Sequence, residues 1–131
     1  DLGISAIQFL TRDGWEPMDI GGFGRDTADG KWVIDQITSP AELKAEGGIM
    51  QHCVYSYLSR CRRQLTSIWS MKRSSTAQNA RVLTIEVNPR LRSILQVSGK
   101  RNRLATADEW NLIKTWATAE NLTIPSGGEL L

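Results

Sequence analysis

The hydrophobic and polar positions divide most of the chain into elements. Ile4 to Leu10 is a short apolar stretch compatible with helix or strand. Asp13-Gly14 and Glu16-Pro17 mark turns. Gly21-Gly22-Phe23-Gly24 reads as a loop, lacking both the lysine of a P-loop and the spacing of a dinucleotide fingerprint. After an Asp29-Gly30 turn, Lys31 to Ile37 sets Trp32, Ile34 and Gln36 against Val33, Asp35 and Ile37, which predicts a strand. Ser39-Pro40-Ala41-Glu42 then supplies a cap hydroxyl, a proline at the first helical position and a glutamate at the third. Gly47-Gly48 is a poor helix interior, so this helix is expected to stop at Glu46. A second helix is expected from Ile49 to Arg63, with Met50, Cys53, Val54, Tyr57, Leu58 and Cys61 as its buried stripe. His52, Tyr55, Ser59 and Arg62 share another, polar face.

Leu65 to Met71 is a short strand candidate, and the polar run Ser74 to Asn79 reads as a loop. Arg81 to Val87 alternates cleanly, with Leu83, Ile85 and Val87 opposite Val82, Thr84 and Glu86. Asn88-Pro89-Arg90 turns the chain, and Leu91 to Val97 returns as a hairpin partner. Thr106-Ala107-Asp108-Glu109 is a capping box opening a helix whose Trp110, Ile113 and Ala117 form a stripe, with Leu112 and Trp116 beside it. Pro125 and Gly127-Gly128 mark a frayed tail. The order predicts an α+β fold: an N-terminal strand and helix segment, helices, an antiparallel β-meander and a closing C-terminal helix.

Composition fits one domain over residues 1–131. At 40% hydrophobic and 23% charged, the chain is neither collagen-like, low-complexity nor wholly disordered. No apolar run approaches the ~20 residues of a bilayer span, and no charged-then-apolar leader is visible, so neither membrane insertion nor a signal peptide is expected. Two cysteines are too few for a disulfide scaffold. On one helix Cys53 and Cys61 would lie ~12 Å apart, too far to bridge. Both are expected to be packed thiols in a reducing, cytoplasmic setting.

The formal charge of +2 hides a segregation. Residues 1–59 hold four basic and nine acidic side chains, whereas residues 60–103 hold eleven basic side chains against Glu86 alone. Nine of those eleven are arginine, whose planar fork suits phosphate and base edges. So one-sided a stretch predicts a polyanion-binding face. The alternative is internal pairing with the acidic N-terminal part.

Several local stretches are distinctive: Glu46-Gly47 followed by Met50-Gln51-His52-Cys53-Val54 with Tyr57, then Thr66-Ser67-Ile68-Trp69-Ser70, Leu83-Thr84-Ile85-Glu86, and Gln96 with Gly99-Lys100 and Asn102. From about Trp32 to Leu122 the chain resembles the PcfJ-like family, proteins encoded on conjugative plasmids, phages and other mobile elements. The His-Cys-Val core and the Gln-x-x-Gly-Lys-x-Asn element are its specific parts. Gln64 stands where the family would place a glycine before the strand. Residues 1–30 lie outside the resemblance and read as an N-terminal extension or a linker to a neighbour. The resemblance implies a setting in mobile DNA and no particular reaction.

His52 is the only histidine. Neighbouring helical side chains point about 100° apart, so His52 and Cys53 build neither a zinc site nor a nucleophile pair. No metal or cofactor is expected. Metal-independent RNA cleavage needs a base for the ribose 2′-hydroxyl, an acid for the leaving oxygen and cations for the phosphorane charge. His52 suits base or acid, Tyr55 a second proton donor, and Lys100 with Arg101 the phosphate. Gln96 and Asn102 would position it or read a base. Arg60, Arg62, Arg63, Arg73, Arg92 and Arg103 extend the predicted nucleic-acid surface, and Trp69 is either core or a stacking platform for a base.

A structural reading of the same residues stands beside this: His52, Gln96 and Asn102 as a buried hydrogen-bond network, and Glu86 as an ion-pair partner of Arg92 or Arg81 in preference to a catalytic carboxylate. The functional expectation is a nucleic-acid-engaging domain of a mobile element with ribonuclease-like activity centred on His52, RNA being favoured over DNA. The alternatives are a non-catalytic nucleic-acid-binding module, or a protein-interaction domain for an acidic partner such as an inhibitor or immunity-type protein.

Overall fold

The computed structural model describes residues 13–125. Along the chain come β1 (Phe23–Thr27), β2 (Gly30–Ile37), α1 (Pro40–Met50), a 3-10 turn (Val54–Tyr57), α2 (Leu58–Arg62), β3 (Ser67–Ser74), β4 (Asn79–Asn88), β5 (Ser93–Ser98), a second 3-10 turn (Lys100–Asn102) and α3 (Ala107–Ala119). The strands form one antiparallel sheet in sequence order, β1-β2-β3-β4-β5. This is the α+β arrangement of meander and closing helix that the hydrophobic pattern predicts. Ile4 to Leu10 and Gly127-Gly128 lie outside the described residues.

The alternation in β3, β4 and β5 gives the sheet two unlike faces. Trp69, Met71, Leu83, Ile85, Val87, Ile94 and Val97 form the main core with Trp110, Ile113, Trp116 and Ala117 of α3. The Trp69 and Trp116 rings sit 5.0 Å apart at 55°, a tilted contact that suits two aromatic quadrupoles. Trp69 is therefore core and offers no ring to a base. On the opposite face a smaller cluster joins Ile37 and Ile68 to Leu43 of α1, Val54 and Cys61. Beyond Ile68 this second face is polar, carrying Ser70, Thr84, Glu86, Gln96 and Ser98. A bulge between β4 and β5 pairs Glu86 with Gln96 and Val87 with Ile94, leaving Leu95 as the extra, exposed residue. The bulge keeps Gln96 on the polar side and Ile94 in the core.

Local signals fix the helix starts. Ser39 Oγ accepts from the Glu42 amide at 3.2 Å. Thr106 and Glu109 make both bonds of a capping box, each satisfying a backbone donor that a first helical turn leaves open.

Three local expectations are corrected. Phe23 and Gly24 are not loop but the start of β1, which pairs with β2 from Phe23↔Ile34 to Thr27↔Gly30. As a largely exposed edge strand, β1 shows no hydrophobic alternation. The helix starting at Pro40 does not stop at Glu46 but runs through Gly47-Gly48 to Met50. Gly47 serves packing there: a Cβ would stand 3.3 Å from the His52 carbonyl oxygen and 3.5 Å from the Val54 side chain.

The continuous helix from Ile49 to Arg63 does not form. Gln51 turns left-handed at φ 54°, and its amide closes α1 onto the Gly47 carbonyl. A 3-10 turn and the short α2 follow. Met50, Val54 and Cys61 of the expected stripe are buried and Tyr57 and Leu58 half-buried, but Cys53 is exposed.

Candidate functional site

The polar sheet face is organised by Glu46, a carboxylate with no solvent exposure. Leu43, Glu46, Gly47 and Met50 form the buried face of α1, the i, i+3, i+4, i+7 spacing of a core stripe. So α1 presses a charge onto the sheet, and the sheet supplies its partners. Arg81 Nη1 donates to Oε1 at 2.6 Å and Ser70 Oγ to the same oxygen at 2.9 Å, while Thr84 Oγ1 donates to Oε2 at 2.5 Å. A buried carboxylate needs such donors to remain ionised.

The chain continues to His52, whose Nε2 lies 2.8 Å from Thr84 Oγ1. A threonine hydroxyl has one proton, here given to Glu46, so its oxygen accepts from His52 Nε2–H. That fixes the tautomer. In the neutral ring Nδ1 carries the lone pair, and it is sealed from bulk solvent with no partner among the described residues. Arg81, Glu46, Thr84 and His52 thus form a hydrogen-bonded guanidinium–carboxylate–hydroxyl–imidazole chain.

His52 and Thr84 border a pocket of about 110 Å³ lined also by Cys53, Val54, Tyr57, Ile68, Glu86, Gln96, Ser98 and Asn102. Tyr57 Oη donates to Gln96 Oε1 at 3.4 Å, leaving the Gln96 amide N–H₂ to donate elsewhere. Glu86 accepts from Thr66 Oγ1 at 2.6 Å. It pairs with neither Arg81, which is held by Glu46, nor Arg92, which donates to the Glu120 carbonyl at 2.6 Å. The expected ion pair of Glu86 is therefore replaced by a hydroxyl contact. Burial chiefly, with the Glu86 charge adding and Arg60 opposing, pushes the Cys61 thiol up to about 11.

The sequence-predicted residues separate into groups. His52, Gln96 and Asn102 line the pocket together, though the bonds of His52 and Gln96 run to Thr84 and Tyr57 rather than to each other. Lys100 and Arg101 are exposed on the 3-10 turn that carries Asn102. Arg101 Nε donates to Gln51 Oε1 at 2.5 Å, directly beside His52. Both Arg101 and Asn102 are left-handed, at φ 55° and 62°, a backbone strain that persists only where the surroundings enforce it. The Arg60 guanidinium lies 3.9 Å over the Tyr57 ring.

Others lie elsewhere. Tyr55 is exposed and absent from the pocket lining, where Tyr57 stands instead. Arg62 and Arg63 are exposed at the end of α2, Arg62 reaching the Asp13 carbonyl at 3.5 Å. Arg73 sits over Trp32 near the far end of β3. Arg103 is gripped by both Glu109 oxygens at 2.9 Å. Burial alone would raise the Glu109 carboxyl, but the Arg103 and Thr106 hydrogen bonds with the Arg103 charge outweigh it and hold it below its usual range. The same hydrogen bond raises Arg103.

Glu46, Ser70, Tyr57, Thr66 and Thr84 enter the site without having been singled out for it from the sequence. Among the described residues no cluster of three His, Cys, Asp or Glu could hold a metal ion, and no helix is long and apolar enough to cross a membrane.

Comparison with known proteins adds the lineage. No curated protein and no solved structure matches the chain. A family model, PcfJ-like protein, matches residues 17–113, from before β1 into α3, and so takes in both the Glu46–Thr84–His52 chain and the pocket. The chain is a member of the PcfJ-like protein family.

Proposed function

We propose that this domain engages nucleic acid and uses His52 to move a proton in metal-independent cleavage of RNA, in the setting of a mobile genetic element. The observation that carries the reading is the buried Arg81–Glu46–Thr84–His52 chain ending at a polar pocket. A hydrogen-bonded chain behind an imidazole fixes its tautomer and ring orientation, part of the role the acid plays in hydrolytic triads. Gln96, Ser98 and Asn102 supply hydrogen-bond donors around the pocket, while Lys100 and Arg101 on the adjoining turn and Arg60 against Tyr57 supply positive charge. Donors and cations of this kind favour a phosphodiester as it gains charge in the transition state.

The test is cleavage of single-stranded RNA by purified protein in the presence of a chelator, with DNA of the same sequence as control. His52→Gln retains an amide donor for Thr84, so the melting temperature should stay within a few degrees. Cleavage should fall by ~10²–10⁴-fold, the usual contribution of a positioned acid or base. Intact RNA with the wild-type protein overturns the reading, as does a His52→Gln variant that cleaves at the wild-type rate. Binding should weaken linearly in log salt. Lys100→Glu with Arg101→Glu should abolish it without unfolding, and binding that survives this pair would place the nucleic-acid face elsewhere.

A further inference from the structure

We infer that Glu86 is a second catalytic group in the pocket, acting as base while His52 acts as acid on a ribose phosphodiester; this rests on the reading of the pocket given above. Glu86 follows Thr84 by two residues on β4, so both side chains leave the same face of the sheet, and both line the pocket with His52. Glu86 is buried, at 8% relative exposure. Thr66 satisfies Oε2, but Oε1 has no donor among the described residues, and no cation there pairs with the group.

A carboxylate placed this way disfavours a bare phosphate in the same pocket. It favours a ligand that presents a hydroxyl proton to Oε1 and keeps its phosphate toward Gln96, which faces Glu86 across the β4–β5 register, and toward Asn102. A ribose 2′-hydroxyl beside its 3′-phosphate has that form, and deoxyribose does not.

The step balances with these two groups. Glu86 takes the 2′-hydroxyl proton as the 2′-oxygen attacks phosphorus. The bond from phosphorus to the 5′-oxygen breaks, and the His52 imidazolium gives its Nδ1 proton to that oxygen, a step that requires the ring to turn Nδ1 from its sealed position into the pocket. The products are a 2′,3′-cyclic phosphate and a 5′-hydroxyl, with Glu86 protonated and His52 neutral. Exchange with water restores both.

Glu86→Gln separates this role from a structural one, because its amide oxygen still accepts from Thr66. We expect single-turnover RNA cleavage to fall at least ~100-fold and the acidic limb of the pH–rate profile to disappear, while the thermal transition remains close to wild type. Glu86→Asp should recover part of the rate and the acidic limb. It carries the test if Glu86→Gln fails to fold, and an Asp variant without either then overturns the inference. If Glu86→Gln cleaves like wild type while His52→Gln does not, the role of Glu86 is overturned and the reading of His52 stands. If the wild-type protein leaves RNA intact, both fall together.

Discussion

Removing the Glu46 carboxylate should destabilise the domain more than any other single polar change on this face of the sheet. The side chain is fully buried and accepts from Arg81, Ser70 and Thr84. Glu46→Ala strips all three donors of their acceptor at once. Breaking a buried ion pair from one side costs about 3–5 kcal/mol. The Arg81 side chain is 22% exposed and recovers some hydration, which favours the lower half of that range for the pair alone. The two orphaned hydroxyls add about 1 kcal/mol each. A total of about 5–6 kcal/mol, at roughly 3–5 °C per kcal/mol for a domain of this size, lowers the melting temperature by about 15–30 °C. Glu46→Gln keeps the shape and one acceptor oxygen but turns an N–H₂ toward a donor, and should cost about 1–3 kcal/mol. Replacing both partners, Glu46→Met with Arg81→Met, should cost much less than the sum of the single changes, because neither charge is left alone. Urea and thermal unfolding followed by circular dichroism read each variant, the two single methionine changes included, against wild type. A Glu46→Ala protein within about 1 kcal/mol of wild type would refute the reasoning.

Three further outcomes follow from other parts of the molecule. Gln64 is left-handed at φ 59°, so Gln64→Gly should stabilise by about 0.5–1 kcal/mol, seen as a higher urea midpoint; an unchanged or lower midpoint would contradict it. The Glu109 carboxyl is held below its usual range when folded, so its contribution is full above the unfolded-state pKa and is lost as pH falls through the lower, folded value. Glu109→Gln should accordingly flatten the acid side of the stability–pH curve below about pH 4.5, whereas an acid limb as steep as that of wild type would deny the pair this role. Burial pushes the Cys61 thiol up to about 11 while Cys53 is exposed. Iodoacetamide at pH 8 should therefore add one adduct to the folded protein, at Cys53, and two after denaturation; two adducts on the folded protein would mean that Cys61 is not sealed.

What the sequence made legible was what depends on near neighbours. The caps at Ser39 and Thr106 are decided within four residues and appear as expected. The strands around Trp32, Leu83 and Ile94 have one face in the apolar core, so they alternate. β1 does not alternate, because it is an exposed edge. Gly47 reads locally as a helix stop, yet its lack of a side chain answers a contact with the His52 carbonyl that only the folded chain creates. That misreading also hid Glu46. Continued through Gly47, the spacing of Leu43, Glu46 and Met50 puts the glutamate in the buried stripe, and a charge in such a stripe demands a partner. Arg81 and Thr84 lie more than thirty residues away, and no periodicity links them to it. His52 was recognisable as the lone imidazole, but its tautomer depends on those same distant groups.

Because the sheet follows chain order, each hairpin can zip with little loop-closure entropy, the exception being the link from β2 to β3. That long excursion carries Glu46, His52 and Tyr57, whereas Thr84, Glu86 and Gln96 stay on the hairpins. The pocket is thus completed only when the excursion folds back over an already paired sheet. Lifting it away would erase the pocket while leaving Trp69 against Trp116. Native-state hydrogen exchange should show the amides of residues 40–62 opening as one unit ahead of β3 and β4, and uniform exchange across both would mean that pocket and sheet form together.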